Sequence, residues 1–199
     1  RGQQEAGCEI HLLENSENLG FIRSVNKGFE TALGFESPVV LLNSDALVPK
    51  GWASRLLEPI WNDGSRVATA TPMSNDAEIF GAPVMCVSTP LLTGQADAMD
   101  AVIQTFSGPP QPVVAPTGVG FCMAINLNYL QRCPSFDAAF GRGYGEEVDW
   151  CQKTAAQGGL HVAVPNLFVE HRGGASFGSD EKWRRIAQNN ALIARRYPK

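Results

Sequence analysis

Polar residues at the end of an apolar run form the first candidate site. Asn43, Ser44 and Asp45 directly follow the run Val39–Leu42. A carboxylate at the end of a buried strand can coordinate a divalent cation, and the cation can neutralise a diphosphate. The same residue types also favour strand-end turns and helix caps, so capping of the next helix is an alternative role for Asp45.

A pair of carboxylates, Glu146 and Glu147, follows the glycine-rich stretch 141–145. A general base has to reach a substrate hydroxyl, and a carboxylate beside flexible backbone is well placed to do so. Adjacent carboxylates also tend to raise the pKa of one member of the pair. The alternative is structural, because acidic residues favour the first turn of a helix, where they meet the positive end of its dipole.

His171 closes a later apolar run and precedes Gly173 and Gly174. A histidine at the end of a strand can ligate a metal ion. The alternative is an ordinary surface or core histidine, which is the commoner case for a single residue of this type. His11 and His161 lie inside predicted strands, and we assign them no chemical role.

The elements that must position these residues alternate between strand and helix in the first third of the chain. Strands are predicted at 9–13, 39–42 and 67–71, with helical periodicity over 22–33 and 52–60. Such alternation predicts parallel strands joined by crossover helices. It places Asp45 at the carboxyl edge of the sheet, where α/β proteins bind ligands.

The remaining two thirds are less regular. Residues 74–116 have weak periodicity and several prolines, which predicts an irregular loop or lid with one helical piece. Further elements are predicted at 118–125, 126–132, 146–157, 161–164, 167–170 and 180–197. The last of these is a C-terminal helix with a stripe expected to dock on the body: Trp183, Ile186, Ala187, Asn190, Ile193 and Tyr197.

The bulk composition excludes several function classes. The 199 residues suit one domain, and a formal net charge of −4 gives no electrostatic case for nucleic-acid binding. The five cysteines are odd in number and include no CxxC pair, so neither a zinc site nor a disulfide framework is expected. The longest apolar run is far shorter than the roughly 20 residues that a membrane-spanning helix needs.

Six segments, in the same order, resemble the family 2 glycosyltransferases of the GT-A fold. They are 18–21 (NLGF), 41–45 (LLNSD), 118–121 (GVGF), 136–140 (FDAAF), 145–150 (GEEVDW) and 171–174 (HRGG). The resemblance implies an α/β domain with a mainly parallel central sheet flanked by helices. It also implies an enzyme that moves a sugar, with inversion, from a nucleotide-diphosphate donor to an acceptor hydroxyl with the help of Mn²⁺ or Mg²⁺.

The resemblance assigns roles to individual residues. Asp45 matches the last acidic residue of the metal-binding DxD motif, and His171 matches the histidine that completes the metal site. Glu147 matches the general base, while Glu146 would orient the acceptor or the base. The remaining matches concern the donor: Asn18 and Gly20 on a turn beside the nucleotide pocket, Asn43 at the first DxD position, and Gly118 and Gly120 in a wall near the donor sugar and acceptor.

The sequence departs from the family pattern in three ways. Asn43 replaces the usual first Asp, which leaves one fewer charge for the metal. Glu147 replaces the usual Asp, so the base role could instead belong to Glu146. The family's first strands are not found, and residues 1–7 resemble the end of the first helix. We therefore expect residues 1–199 to be a single, N-terminally incomplete domain, with an open sheet edge across which two copies could dimerise.

Partners and alternatives follow from the same resemblance. The acceptor is expected to be a glycan or lipid-linked sugar, and the protein is expected in the cytoplasm, where nucleotide sugars are made. Basic residues of the C-terminal helix could touch an anionic membrane, although they also suit the helix dipole. One alternative is a non-catalytic carbohydrate- or nucleotide-binding remnant. Another is a nucleotidyltransferase, which normally opens with a glycine-rich phosphate loop and a lysine, and neither occurs here.

Overall fold

The structure is a computed structural model that describes residues 9–62, 66–105, 113–173 and 179–198. The helices in these ranges are α1 (Gly20–Ala32), α2 (Trp52–Asn62), α3 (Gln95–Ile103), α4 (Leu127–Arg132), α5 (Glu146–Ala155) and α6 (Ser179–Arg196). The strands are β1 (Val39–Leu42), β2 (Ala46–Leu47), β3 (Val67–Ser74), β4 (Val113–Ala115), β5 (Cys122–Ile125) and β6 (Leu160–His171). The predicted end of a helix at residues 1–7 lies outside the described residues.

The strands form one sheet in the order β1-β5-β3-β6-β2, with β4 also paired to β6. The expected α/β architecture is confirmed, but the sheet is mixed rather than mainly parallel. Among the strands that the structure describes, only β3 and β6 pair in parallel. The physical reason is the position of β5, which returns antiparallel between β1 and β3. Strands β1 and β3 nevertheless run in the same direction, as expected for strands joined by the crossover helix α2.

The two faces of the sheet bury separate apolar clusters. Alternate residues of β5 point to opposite sides, with Cys122 and Ala124 in one cluster and Met123 and Ile125 in the other. Helix α2 covers the first face through Leu56 and Ile60. Helices α1 and α5 cover the second face, on which the buried residues include Ile22, Phe29 and Trp150. Helices α1 and α5, which begin at the predicted site residues Gly20 and Glu146, therefore both pack on the sheet.

Three strand predictions need correction. The strands predicted at 161–164 and 167–170 form one continuous strand, β6. Residues 9–13 form no strand, and Ile10 and Leu12 are 64% and 79% exposed. An isolated run of this kind has no neighbouring strand to satisfy its backbone hydrogen bonds. The predicted strand 118–125 begins only at Cys122, because Gly118–Phe121 turns toward the candidate site. In the described part of the chain, β1 pairs with β5 and leaves its other edge without a strand.

Part of the predicted loop or lid is anchored to the body. Helix α3 carries Asp100, which is buried and accepts hydrogen bonds from Arg55 at 3.0 and 2.9 Å and from the amide of Phe168 at 2.9 Å. These contacts fix α3 against α2 and β6. Residues 106–112, which include Pro109, Pro110 and Pro112, lie outside the described residues.

Helix α6 docks through part of the expected stripe. Ile193 packs against the second apolar cluster and Tyr197 bonds to Asp149, whereas Trp183 is 65% exposed. Asn189 and Arg196, which lie outside the stripe, also bond to the body, and hydrophobic periodicity alone does not detect such polar contacts. None of the described helices is long and apolar enough to cross a bilayer. The expected basic surface includes Lys182 and Lys199, whose side chains fall outside the described part.

Candidate active site

Sheet pairing brings the Asp45 and His171 segments together. After β1, residues 43–45 turn into β2, and Ala46 of β2 lies opposite His171 of β6. The amide of Arg172 donates to the carbonyl of Asp45 at 3.1 Å. As a result, Oδ1 of Asp45 lies 3.4 Å from Nε2 of His171. The two candidate metal ligands are therefore neighbours in the fold.

The hydrogen bonds of His171 decide which ring nitrogen faces Asp45 with a lone pair. Nδ1 lies 2.7 Å from the carbonyl oxygen of Asp76. A carbonyl oxygen can only accept a hydrogen bond, so Nδ1 carries the proton in the neutral imidazole. Nε2 then presents its lone pair toward Asp45 and lies 3.5 Å from Nδ2 of Asn43. Two electron-rich atoms that face each other favour a cation between them.

The donor set fits a divalent cation. A carboxylate and a neutral imidazole both ligate Mn²⁺ or Mg²⁺, and neighbouring ligands of an octahedral ion with bonds of about 2.1 Å lie roughly 3 Å apart. The side chains of Asp45 and His171 are 32% and 16% exposed, so a phosphate can approach them. Within the described ranges, no group of three or more His, Cys, Asp or Glu residues could hold a metal ion. Phosphate oxygens and water would have to complete the shell, as is usual for Mg²⁺.

The two adjacent glutamates have different surroundings. Helix α5 starts at Glu146, directly after Gly145, whose φ of +110° favours glycine. Glu146 is only 2% exposed, and burial, followed by the charge of Glu147, raises its pKa to about 9. Glu146 is therefore a neutral acid at neutral pH and cannot accept a proton there. Glu147 is half-buried, and its Oε2 accepts a hydrogen bond from the Gly145 amide at 3.4 Å.

One dipeptide, Gly120-Phe121, joins the two clusters. A Cβ atom added at Gly120 would lie 3.8 Å from Oε1 of Glu147 and 3.5 Å from the ring of Phe21. The ring of Phe121 stacks on the ring of His171. The backbone carbonyl of Phe121 accepts a hydrogen bond from the amide of Asn43 at 2.8 Å. The structure thus places the glutamate pair and the Asp45–His171 pair on either side of the same short segment.

The other residues predicted to lie near the sugar donor are Asn18, Gly20, Gly118 and Gly120. Oδ1 of Asn18 accepts from the amide of Gly20 at 2.9 Å, which forms the turn that opens α1. A Cβ at Gly20 would lie 3.5 Å from Cγ of Arg142, so this turn borders the loop before the glutamates. Gly118 is buried, and a Cβ there would overlap Sδ of Met123. Close packing against Met123 explains why residue 118 is a glycine, whereas Gly120 lies at the candidate site.

A sequence profile described as Glycosyl transferase family 2 matches residues 2–108, which is just over half of the 199 residues. The chain belongs to this family. Among curated proteins, no sequence matches it.

Solved structures share the GT-A glycosyltransferase fold of this family 2 chain. One is GalNAc-T7 with UDP, GalNAc and Mn²⁺, with 16% identity, a TM-score of 0.61, and coverage of 91% of this chain and 35% of that one. Another is the mannosyltransferase PcManGT from Pyrobaculum calidifontis in complex with GDP-Man and Mn²⁺, with 19% identity, a TM-score of 0.58, and coverage of 95% and 47%. The family 2 chain thus spans less than half the length of either protein.

A cavity of about 640 Å³ lies beside His171 in the family 2 chain. It is at the β2 end of the sheet, opposite the β1 edge. One wall comes from β2 and the end of β6, and the other comes from the segment that leads into α3. Its polar lining residues include Asn75, Ser88, Thr93, Asp97, Glu170 and Arg172.

Sequence reasoning missed two contributors to the family 2 site, Asn75 and Asp76. Both follow β3 and contact His171. A signal was present, because Ser74-Asn75-Asp76 ends a buried strand in the same way as Asn43-Ser44-Asp45 ends β1. Polar residues after strands that run in the same direction, such as β1 and β3, lie at the same edge of the sheet.

Proposed function

We propose that this chain carries the metal-diphosphate and acid-base residues of a glycosyltransferase that moves a sugar from a nucleotide-diphosphate donor to an acceptor hydroxyl. Membership of family 2 and the GT-A fold support the proposal. The observation that carries it is the convergence of Asp45, His171 and Glu147 around Gly120-Phe121.

The proposed metal ligands are the carboxylate of Asp45 and Nε2 of His171. A bound Mn²⁺ or Mg²⁺ would supply positive charge that stabilises the departing diphosphate. Asn43 supplies no charge to this site, so Asp45 is the carboxylate that is proposed to face the metal. The similar structures of GalNAc-T7 and PcManGT contain Mn²⁺ together with a nucleotide, which supports a divalent ion here. Asn18 and Gly20 are proposed to border the nucleotide.

Glu147 is the proposed general base. It would take the proton of the acceptor hydroxyl as that oxygen attacks the anomeric carbon in a single inverting displacement. Glu146 does not compete for this role, because its raised pKa keeps it protonated. Its Oε2 is buried and has no hydrogen-bond partner among the residues that the structure describes. A buried, protonated carboxyl next to Glu147 is suited to orient that base, which is the proposed role of Glu146.

The cavity beside His171 is the proposed place for the part of the acceptor that does not react. It lies at the β2 end of the sheet, beside the proposed metal ligand His171. Mixed apolar walls and hydrogen-bonding side chains suit a glycan or a lipid-linked sugar. A cytoplasmic location, contact with an anionic membrane and a homodimer stay predictions from the sequence.

Calorimetry with UDP and GDP, with and without Mn²⁺, tests the proposal. We expect one nucleotide to bind only with Mn²⁺, and Asp45→Ala and His171→Ala each to abolish this binding. Glu30→Ala, on the exposed side of α1, serves as the control that should bind normally. Metal-independent binding, or binding unaffected by both site variants, would contradict the metal role. Metal-dependent binding without any turnover of the nucleotide sugar would instead favour the non-catalytic binding module.

A further inference from the structure

We propose that Asn75 is a positioning residue that aims Nε2 of His171 at the metal position. The inference rests on the proposed role of His171 as a metal ligand. Asn75 is only 4% exposed and directly follows β3. Oδ1 of Asn75 accepts from the amide of His171 at 2.8 Å, and Nδ2 donates to the carbonyl of His171 at 2.9 Å. One carboxamide thus bonds to both backbone groups of the candidate ligand.

The position of Asn75 explains why a side chain is needed there. The parallel pairing of β3 and β6 ends with Ser74 opposite Val169, two residues before His171. Beyond that point β3 no longer pairs with β6, and the carboxamide of Asn75 makes the hydrogen bonds to the His171 backbone that a paired strand would make. The next residue, Asp76, accepts the Nδ1 proton of His171 through its carbonyl at 2.7 Å. Two consecutive residues therefore fix both the backbone and the ring of His171.

Asn75 also ties His171 to the wall of the cavity. Its backbone carbonyl accepts from the amide of Thr89 at 2.9 Å, and Nδ2 donates to the carbonyl of Thr89 at 3.2 Å. The hydrogen bonds of the carboxamide are thus made within the protein, to His171 and Thr89, with a longer one accepted from Oγ of Ser74 at 3.5 Å. Asn75 is therefore placed to act through His171 rather than on a substrate. Partners of this kind orient metal-binding histidines and tune the affinity of the metal.

The decisive variant is Asn75→Asp, because charge and positioning predict opposite results. An aspartate keeps the shape and the acceptor for the His171 amide but loses the donor to the His171 carbonyl. If charge alone mattered, a new carboxylate near Asp45 would tighten Mn²⁺ binding. The positioning role predicts weaker binding, by about 10-fold to 100-fold. The measurement is an electron paramagnetic resonance titration of Mn²⁺ in the presence of UDP or GDP.

Asn126→Asp is the matched control. Asn126 is equally buried at 4% exposure, and its carboxamide also donates to a backbone carbonyl, that of Val67 at 2.9 Å, and accepts from a backbone amide, that of Asn128 at 3.0 Å. It caps α4, away from His171. We expect this variant to lower the thermal midpoint while leaving the Mn²⁺ affinity unchanged. If Asn75→Asp gives no cooperative thermal transition, Asn75→Ser replaces it in the titration.

Nitrogen NMR of the histidine rings supplies a readout that needs neither metal nor activity. The chain has three histidines, and His171→Ala assigns the signal of interest. We expect the Nδ1-protonated tautomer to dominate for His171 in the unaltered protein and in Asn126→Asp, and a mixture of tautomers in Asn75→Asp. An unchanged His171 tautomer together with unchanged Mn²⁺ affinity in Asn75→Asp would overturn the inference. If His171→Ala binds Mn²⁺ as tightly as the unaltered protein, the proposed role of His171 as a metal ligand is wrong. The effect of Asn75→Asp on the His171 tautomer would still test whether Asn75 positions His171.

Discussion

The imidazole of His171 stacks on the ring of Phe121, with centroids 5.0 Å apart and an angle of 28° between the planes. Phe121 is 3% exposed and belongs to the core cluster on the α2 side of the sheet. The stack therefore connects the candidate metal ligand directly to the packed interior. The preceding residue, Gly120, lies beside Glu147. Changes in this dipeptide should separate the metal function from the acid-base function.

Gly120→Ala should reduce sugar transfer without weakening Mn²⁺ binding. The added Cβ would make ordinary contacts, at 3.5 Å to Phe21 and 3.8 Å to Glu147, so folding should be nearly unaffected. The added methyl group would, however, occupy space in front of Glu147 and displace the acceptor from the base. A displacement of about 1 Å can lower turnover by about 100-fold. The rate of nucleotide-sugar turnover checks this. Gly28→Ala, where a Cβ meets nothing within 4 Å, should keep full turnover.

Gly173→Ala should weaken Mn²⁺ binding by disturbing Asp76. Gly173 has a φ of +50°, and a Cβ there would overlap the carboxylate of Asp76, whose carbonyl holds Nδ1 of His171. Gly51→Ala is the control, because Gly51 has a φ of +69° but open space around its Cβ position. Both variants should lose about 1–2 kcal/mol of stability from backbone strain. Equal Mn²⁺ affinities in the two variants, measured by calorimetry, would argue against the role of Asp76.

Glu146→Gln should change the pH dependence of stability. The folded-state pKa of Glu146, about 9, lies above its ordinary value of 4.5 because of burial and then the charge of Glu147. The native state therefore holds more protons than the unfolded state between these values, and this group's contribution to stability falls as pH rises through them. The stability of Glu146→Gln relative to the unaltered protein should rise over that window, by at most about 1.4 kcal/mol per pH unit.

Urea denaturation at pH values from below 4.5 to about 9 measures this difference. Glu30→Gln provides the control, because Glu30 lies on the exposed side of α1 and should follow the unaltered protein at every pH. A constant difference between Glu146→Gln and the unaltered protein would mean that Glu146 ionises normally. In that case, the assignment of the base to Glu147 rather than Glu146 would lose its main support.

Local patterns predicted much of this fold and site. The apolar run Val39–Leu42 correctly predicts the strand β1, because strands leave a local signal. The expected burial is wrong, since β1 ends the described sheet and Leu42 is 43% exposed. Asn43 and Asp45 after it stay a predicted ligand site. The direction of β5 has no such signal, because it depends on which distant strand it meets. Residues 9–13 have an apolar strand pattern but no partner to complete it. The polar residues after β3 gave a signal for Asn75, but its contact with His171 depends on the pairing of β3 with β6, which only the three-dimensional structure shows.

The last prediction concerns the attachment of α6 behind the glutamate pair. Nη1 of Arg196 donates to Asp149 at 2.7 Å and to Asp137 at 2.8 Å. Burial raises the pKa of Asp149, but hydrogen bonds from Lys153, Arg196 and Tyr197 outweigh it and lower that pKa overall. Arg196→Met would leave the buried Asp149 carboxylate, 1% exposed, with fewer partners, and should cost about 2–3 kcal/mol, less than the full loss of a buried pair because two partners remain.

Thermal and urea unfolding of Arg196→Met, compared with Arg195→Met, checks this prediction. Arg195 is its exposed neighbour on the same helix, and removing its charge should change stability by less than about 0.5 kcal/mol. Because α6 also donates from Asn189 to the carbonyl of Tyr144 at 2.7 Å, a loosened helix should disturb the turn that leads to Glu147. We therefore expect Arg196→Met to lower sugar turnover while Mn²⁺ affinity, which depends on Asp45 and His171, stays the same. Equal stability of the two arginine variants would mean that the ion pairs of Arg196 do not stabilise the attachment of α6.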